Sequence, residues 1–77
     1  MSHQVRLPKL GAGVEQATIV AWLKRTGDPV VRGEPLVQVE TDKAIVEIEA
    51  PADGVLESIE YARGSVVPIQ AVIAVLK

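Results

Sequence analysis

The chain has no cysteine and no phenylalanine, and only one histidine, one tryptophan and one tyrosine. Without thiols, neither a disulfide nor a zinc–thiolate centre can staple the fold. The single histidine, His3, lies close to the start of the sequence, in a terminus expected to fray, so the commonest general base and metal ligand is missing from any interior site. No Ser-His-Asp or Cys-His set can be assembled. No window holds the long uncharged apolar run of a membrane span, and no signal peptide is recognisable, so a soluble, intracellular chain is expected.

A length of 77 residues allows one domain, spanning 1–77, near the lower limit for a chain that folds without help. Valine, isoleucine, leucine and alanine must build the core, with Trp22 as its one large ring. Valine richness and five prolines favour short strands over helices. The net charge is only −2, but between Glu34 and Glu60 eight carboxylates accompany a single base, Lys43. An acidic half with few aromatics is the opposite of a nucleic-acid surface, which needs a basic groove and stacking rings. It suits either a solvated face or a docking surface.

Two alternating runs meet near the middle of the sequence. Val37-Gln38-Val39-Glu40 precedes Thr41-Asp42-Lys43, and Ala44-Ile45-Val46-Glu47-Ile48-Glu49 follows. Folded as a hairpin with Asp42-Lys43 at the tip, Thr41 faces Ala44, Glu40 faces Ile45, Val39 faces Val46, Gln38 faces Glu47 and Val37 faces Ile48. The inward pairs are then apolar and the outward ones mostly polar. A slip of one residue would set valines against glutamates, so the register is well specified. Asp-Lys lacks the glycine that primed hairpin turns favour, which predicts a type I turn with a widened tip. Lys43 is thereby held at the end of a stiff ribbon.

Around this hairpin, strands are predicted at Val5 to Leu7, Thr18 to Lys24, Val30-Val31, Val55 to Ile59, Val66-Val67 and Val72 to Leu76. Turns fall at Thr26-Gly27-Asp28-Pro29, Arg32-Gly33-Glu34-Pro35 and Ala50-Pro51-Ala52-Asp53-Gly54. The segment Gly11-Ala12-Gly13-Val14-Glu15 is a loop; no helix pattern or Lys-Ser/Thr follows it, so it is not a phosphate cradle. Laid on itself at an offset of 37, the chain matches Ile19 with Leu56, Trp22 with Ile59, Gly27 with Gly64, Val30 with Val67, Leu36 with Ile73 and Val39 with Leu76. Core candidates three apart in both copies predict a β-bulge at equivalent places, and the shared glycines predict positive φ. Val5-Arg6-Leu7 resembles Val46-Glu47-Ile48 if the Gly11 loop is treated as an insertion. The architecture implied is all-β: two four-stranded antiparallel sheets related by a pseudo-twofold, packed as a flattened barrel or sandwich, a barrel-sandwich hybrid.

As an enzyme the chain is short of parts, since its many carboxylates lie on strands that point them into water. Lys43 as a Schiff-base nucleophile would need burial or cationic neighbours to make the amine neutral. Its neighbours are Asp42 and Glu40 on an exposed tip, so an unreactive amine is expected unless another protein activates it. An ordinary turn lysine fits the same residues.

Leu7-Pro8-Lys9-Leu10-Gly11, Trp22-Leu23-Lys24, Gly27-Asp28, Gly33-Glu34-Pro35-Leu36, Val39-Glu40-Thr41-Asp42-Lys43-Ala44, Val46-Glu47-Ile48 and Ala50-Pro51 together resemble a lipoyl domain. The resemblance is to those at the N-terminus of the dihydrolipoyl acyltransferase (E2) of 2-oxo acid dehydrogenase complexes. It implies a non-catalytic carrier with lipoic acid in amide linkage to Lys43, and Asp42 and Ala44 flanking it for the lipoylating enzyme. It also implies partners: a thiamine-diphosphate-dependent E1, the E2 acyltransferase core and a flavin-dependent E3. By the same resemblance the loop Gly11, Ala12, Gly13, Val14 and Glu15 lies beside the hairpin and helps E1 recognise its domain. Glu40, with Glu47 and Glu49, offers a second contact surface. Related biotinyl carriers place methionine on both sides of the modified lysine, where this chain has Asp42 and Ala44. Val14-Glu15-Gln16-Ala17 stands where many relatives have a glycine.

A monomeric domain is expected, and the acidic, aromatic-poor composition without a long apolar run predicts no nucleic-acid or membrane partner. It would lie in a bacterial cytoplasm, or in the mitochondrial matrix if processed from a eukaryotic precursor. A flexible linker is expected after Lys77. The alternatives are an unmodified β-domain that binds a protein or peptide through its edges or acidic face, and a biotinyl carrier domain.

Overall fold

Short valine-rich segments separated by glycine and proline turns cannot bury themselves singly; they close by pairing in sheets. The computed structural model describes residues 2–77. It holds eight strands: β1 (His3–Arg6), β2 (Gln16–Trp22), β3 (Pro29–Val30), β4 (Pro35–Glu40), β5 (Ile45–Glu49), β6 (Gly54–Ile59), β7 (Val66–Pro68) and β8 (Val72–Leu76). One sheet runs β1-β8-β6-β3 and the other β5-β4-β2-β7, each antiparallel throughout. There is no helix among the described residues, and so none long and apolar enough to cross a membrane.

The inward residues of both sheets make one core, with Leu7, Ile19, Leu36, Leu56, Ile73 and Leu76 among its largest fully buried side chains. No polar or charged side chain is buried with them among the described residues. The duplication is borne out bond by bond. The Gly27 N–H donates to Leu56 O at 2.7 Å, and 37 residues on the Gly64 N–H donates to Ile19 O at 2.8 Å. Gly27 and Gly64 take φ of +95° and +89°. The expected bulges are present as register shifts between Ile19 and Ala21 and between Leu56 and Ser58. Each bulge lets residues three apart face inward, so Ile19 and Trp22 sit opposite Val39 and Val37.

Four expectations need correcting. Strand β1 starts at His3, paired with Leu76, so that histidine belongs to a sheet and is not frayed. Val5 lies opposite Ala74 as Ile48 lies opposite Val37, which makes Val5 the counterpart of Ile48, and Leu7 that of Ala50. The proposed match of Val5 with Val46 was therefore two residues out. Strand β2 begins at Gln16 and ends at Trp22, earlier at both ends than read. Trp22 is only half-buried: its ring rests against the core's edge while Nε1–H donates to Tyr61 O at 2.9 Å.

Candidate functional site

The β4–β5 hairpin has the register that alternation dictates, with Glu40 opposite Ile45, Val39 opposite Val46, Gln38 opposite Glu47 and Val37 opposite Ile48. Val37, Val39 and Ile48 are buried, which anchors the ribbon in the core. At the tip the Thr41 N–H donates to Ala44 O at 2.8 Å. Among the described non-glycine residues only Gln70 has positive φ. Asp42 and Lys43 therefore keep ordinary backbone, consistent with a type I turn rather than a primed one.

What sequence reasoning missed is the part played by Thr41. Its Oγ1 accepts from the N–H groups of Lys43 and Ala44, both at 3.2 Å, and its hydroxyl lies 3.2 Å from Ala44 O as donor. A hydroxyl thus occupies the mouth of the turn and holds both amides that flank the lysine side chain. The signal was available: a threonine that opens a two-residue turn often bonds to backbone two and three residues on.

Asp42, Lys43 and Ala44 are all exposed. The Lys43 side chain leans back across the surface, and Nζ donates to the Ala12 carbonyl at 3.3 Å. The loop of residues 11 to 15 therefore does lie against the hairpin, as the resemblance implied. Its Val14 N–H donates to Gly11 O at 3.3 Å, and the Glu15 carbonyl accepts from Ile69 N–H at 3.0 Å, which ties its far end to the sheet turn. Between loop and hairpin runs an open groove of about 530 Å³, lined by Gly13 to Thr18 and by Glu40, Thr41 and Asp42. Glu40, Glu47 and Glu49 are exposed on the strands beside it.

Chemically the site is one accessible amine and little else. Among the described residues the one ion pair is Lys24 Nζ with Glu34 Oε1 at 3.2 Å, so no carboxylate claims Lys43. No cluster of three metal-ligating groups exists among them either. Lys43 is an exposed primary amine on a turn whose Thr41 hydroxyl holds both flanking amides, and its Nζ makes one hydrogen bond, to Ala12 O. A small duplicated β-domain built to present one lysine is the architecture of a carrier module.

Comparison with known proteins agrees. The biotin/lipoyl family profile, described as "Biotin-requiring enzyme", matches residues 3–76, and the chain belongs to that family. Within it the likeness is to lipoyl domains. The succinyltransferase component of the 2-oxoglutarate dehydrogenase complex of Escherichia coli K12 is 38% identical over 76 residues, which is 99% of this chain and 19% of that protein. The acetyltransferase component of the pyruvate dehydrogenase complex of Mycobacterium bovis is 46% identical over 65 residues, 84% of this chain and 12% of that protein. The solution structure of the lipoyl domain of the Azotobacter vinelandii 2-oxoglutarate dehydrogenase complex superposes with a TM-score of 0.77 at 31% identity, covering 96% of this chain and 94% of that one. The chain thus spans no more than about a fifth of these two acyltransferase components, and matches their small lipoyl domain.

Proposed function

We propose that Lys43 carries lipoic acid in amide linkage to Nζ and serves as the swinging arm of a 2-oxo acid dehydrogenase complex. The observation that carries this reading is the exposed, unpaired Lys43 amine on a hairpin tip in a domain of the biotin/lipoyl family. The residues present suit the group. Amide formation needs an amine within reach of another enzyme's active site, and Nζ is restrained by a single 3.3 Å hydrogen bond to a loop carbonyl.

When bound, the dithiolane supplies acyl carriage and two-electron redox chemistry, and the protein supplies position. Thr41 fixes the turn, Val37, Val39 and Ile48 fix the ribbon, and the loop around Ala12 limits where the arm can rest. In this reading the arm visits a thiamine-diphosphate-dependent E1, the E2 acyltransferase core and a flavin-dependent E3. Tethering makes each visit an intramolecular encounter at high effective concentration. Asp42 and Ala44 flank the lysine for recognition by the lipoylating enzyme, and they also favour lipoate over biotin, whose carriers resemble this chain but set methionines there. Gly11 to Glu15 and Glu40 contribute to recognition by E1.

Intact mass after expression in lipoate-replete cells tests the assignment. The chain is expected to gain one lipoyl group, and Lys43→Arg to gain none. A gain that survives Lys43→Arg, or a biotinyl gain in its place, overturns it.

A further inference from the structure

Alternation leaves the outer side of a half-buried sheet polar, and the hairpin sheet breaks that rule at two places. The registers carry one row across its four strands: Ile45 on β5 opposite Glu40 on β4, Glu40 opposite Thr18 on β2, and Thr18 opposite Val66 on β7. Both ends of the row are apolar and open, Ile45 being 58% exposed and Val66 53%. Glu40 between them is exposed and Thr18 half-buried. Three strand spacings, about 14 Å, separate the two apolar ends. Lys43 stands just around the turn from Ile45.

The duplicated half serves as an internal control. At the offset of 37, Thr18 corresponds to Val55 and Glu40 to Lys77, and those two residues also pair, through mutual backbone bonds of 2.9 and 2.8 Å. The same architecture therefore tolerates a base where the hairpin sheet has its acid, and Pro29 where it has Val66. That row also carries an exposed valine, Val55 at 40%, but it stands in the place of Thr18 and beside a base, so an apolar pair flanking a carboxylate belongs only to the row on the sheet that bears Lys43.

We infer that the row Ile45–Glu40–Thr18–Val66 is the docking face for the enzyme that attaches the prosthetic group to Lys43, and that its complement is a cationic side chain set between two apolar sockets. This rests on the proposed function. Of the partners in that reading, only the attaching enzyme must bring its active centre to the bare amine, one lysine's length from the hairpin, and so must cover the strands beside it. Later partners meet a longer arm and need not cover the whole row; the E1 contacts in that reading centre on the Gly11 to Glu15 loop and share only Glu40 with it. Charge points the same way, because Glu40 is joined on this side by the exposed Asp42 and Glu47, and by Glu15 across the groove. Apolar contacts on both sides of a charged pair exclude water from it, the arrangement that concentrates binding energy in a few residues.

The test measures lipoylation of the apo-domain by a lipoate ligase, as initial rate against domain concentration. The variants are Ile45→Thr with Val66→Thr, which keep β-branching and strand preference, and Val55→Thr on the equivalent face as control. The double variant is expected to lose roughly tenfold or more in kcat/KM through KM, while Val55→Thr stays within about twofold of wild type. Acylation of Lys43 by a small N-hydroxysuccinimide ester, which needs no docking, is expected to proceed equally in all. Wild type that is lipoylated together with an unimpaired double variant overturns the inference alone, as does an equal loss in Val55→Thr. Wild type that gains no lipoyl mass overturns the proposed function and the inference with it.

Discussion

Gln70 holds in the second half of the chain the backbone conformation that Gly33 holds in the first, with φ of +77° against +88°. The correspondence extends to bonding: the Gly33 N–H donates to Ala50 O at 2.9 Å and the Gln70 N–H to Leu7 O at 2.8 Å. The Arg6 guanidinium donates to the Gln70 carbonyl at 3.0 Å and braces the turn. A side chain in the left-handed region costs about 1–2 kcal/mol, and glycine avoids that while losing more chain entropy on folding. Gln70→Gly is therefore expected to stabilise the domain by up to about 1 kcal/mol, and Gly33→Gln to destabilise it by a similar amount. Chemical denaturation checks both, and a Gln70→Gly variant less stable than wild type contradicts the strain.

Lys43→Gln is expected to leave the melting temperature within about 2 °C of wild type, since an exposed turn residue has little to lose. Its side chain makes one hydrogen bond, from Nζ to Ala12 O, and the backbone bond to Thr41 Oγ1 survives the substitution. A drop of many degrees in calorimetry would place the lysine in the fold's support and weaken its assignment as an attachment point.

Thr41→Val removes the oxygen that receives the Lys43 and Ala44 amides but keeps the branched side chain. The turn should loosen while both sheets persist, at a cost of about 1 kcal/mol. Hydrogen exchange at Lys43 and Ala44 should quicken, with protection at Val39 and Ile48 retained. Unchanged exchange at the tip would show that the hydroxyl is incidental.

Trp22→Phe keeps an apolar ring at the core's edge and deletes the donor to Tyr61 O. Because that carbonyl can turn to water from a half-buried position, a loss of about 0.5–1.5 kcal/mol in a denaturant titration is expected. A loss above about 3 kcal/mol would mean that the indole fills core space and not a boundary.

Much of this structure is legible in the sequence where a period-two pattern has only one consistent reading. The hairpin register follows because a one-residue slip at Val39 would turn glutamates inward. The paired bulges follow because Ile19 and Trp22, like Leu56 and Ile59, are three apart. The same periodicity explains the failure at β1. Shifting Val5-Arg6-Leu7 by two residues leaves alternation intact, so apolar pattern cannot separate Val46-Glu47-Ile48 from Ile48-Glu49-Ala50. Backbone pairing with β8 decides it, and that contact is remote in sequence. A second pair of bulges, which buries Leu36 beside Val37 and Ile73 beside Ala74, went unread although two adjacent apolar residues in each copy marked it.

At the site, the lysine and its turn were readable. The reach of Nζ to Ala12 was not, since it joins positions 31 apart. Nor was the left-handed Gln70, because no glycine marks it.

The pairing of β1 with β8 sets the two chain ends side by side in one sheet, while the Lys43 ribbon belongs to the other. Tension applied through the main chain would unzip β1 from β8 before reaching β4 and β5. The corner where the two chain ends meet and the corner where Lys43 stands are equivalent places in the two halves of the duplicated body, one closed by a turn and the other open. A pull at the chain ends and a group attached at Lys43 would therefore act on separate sheets.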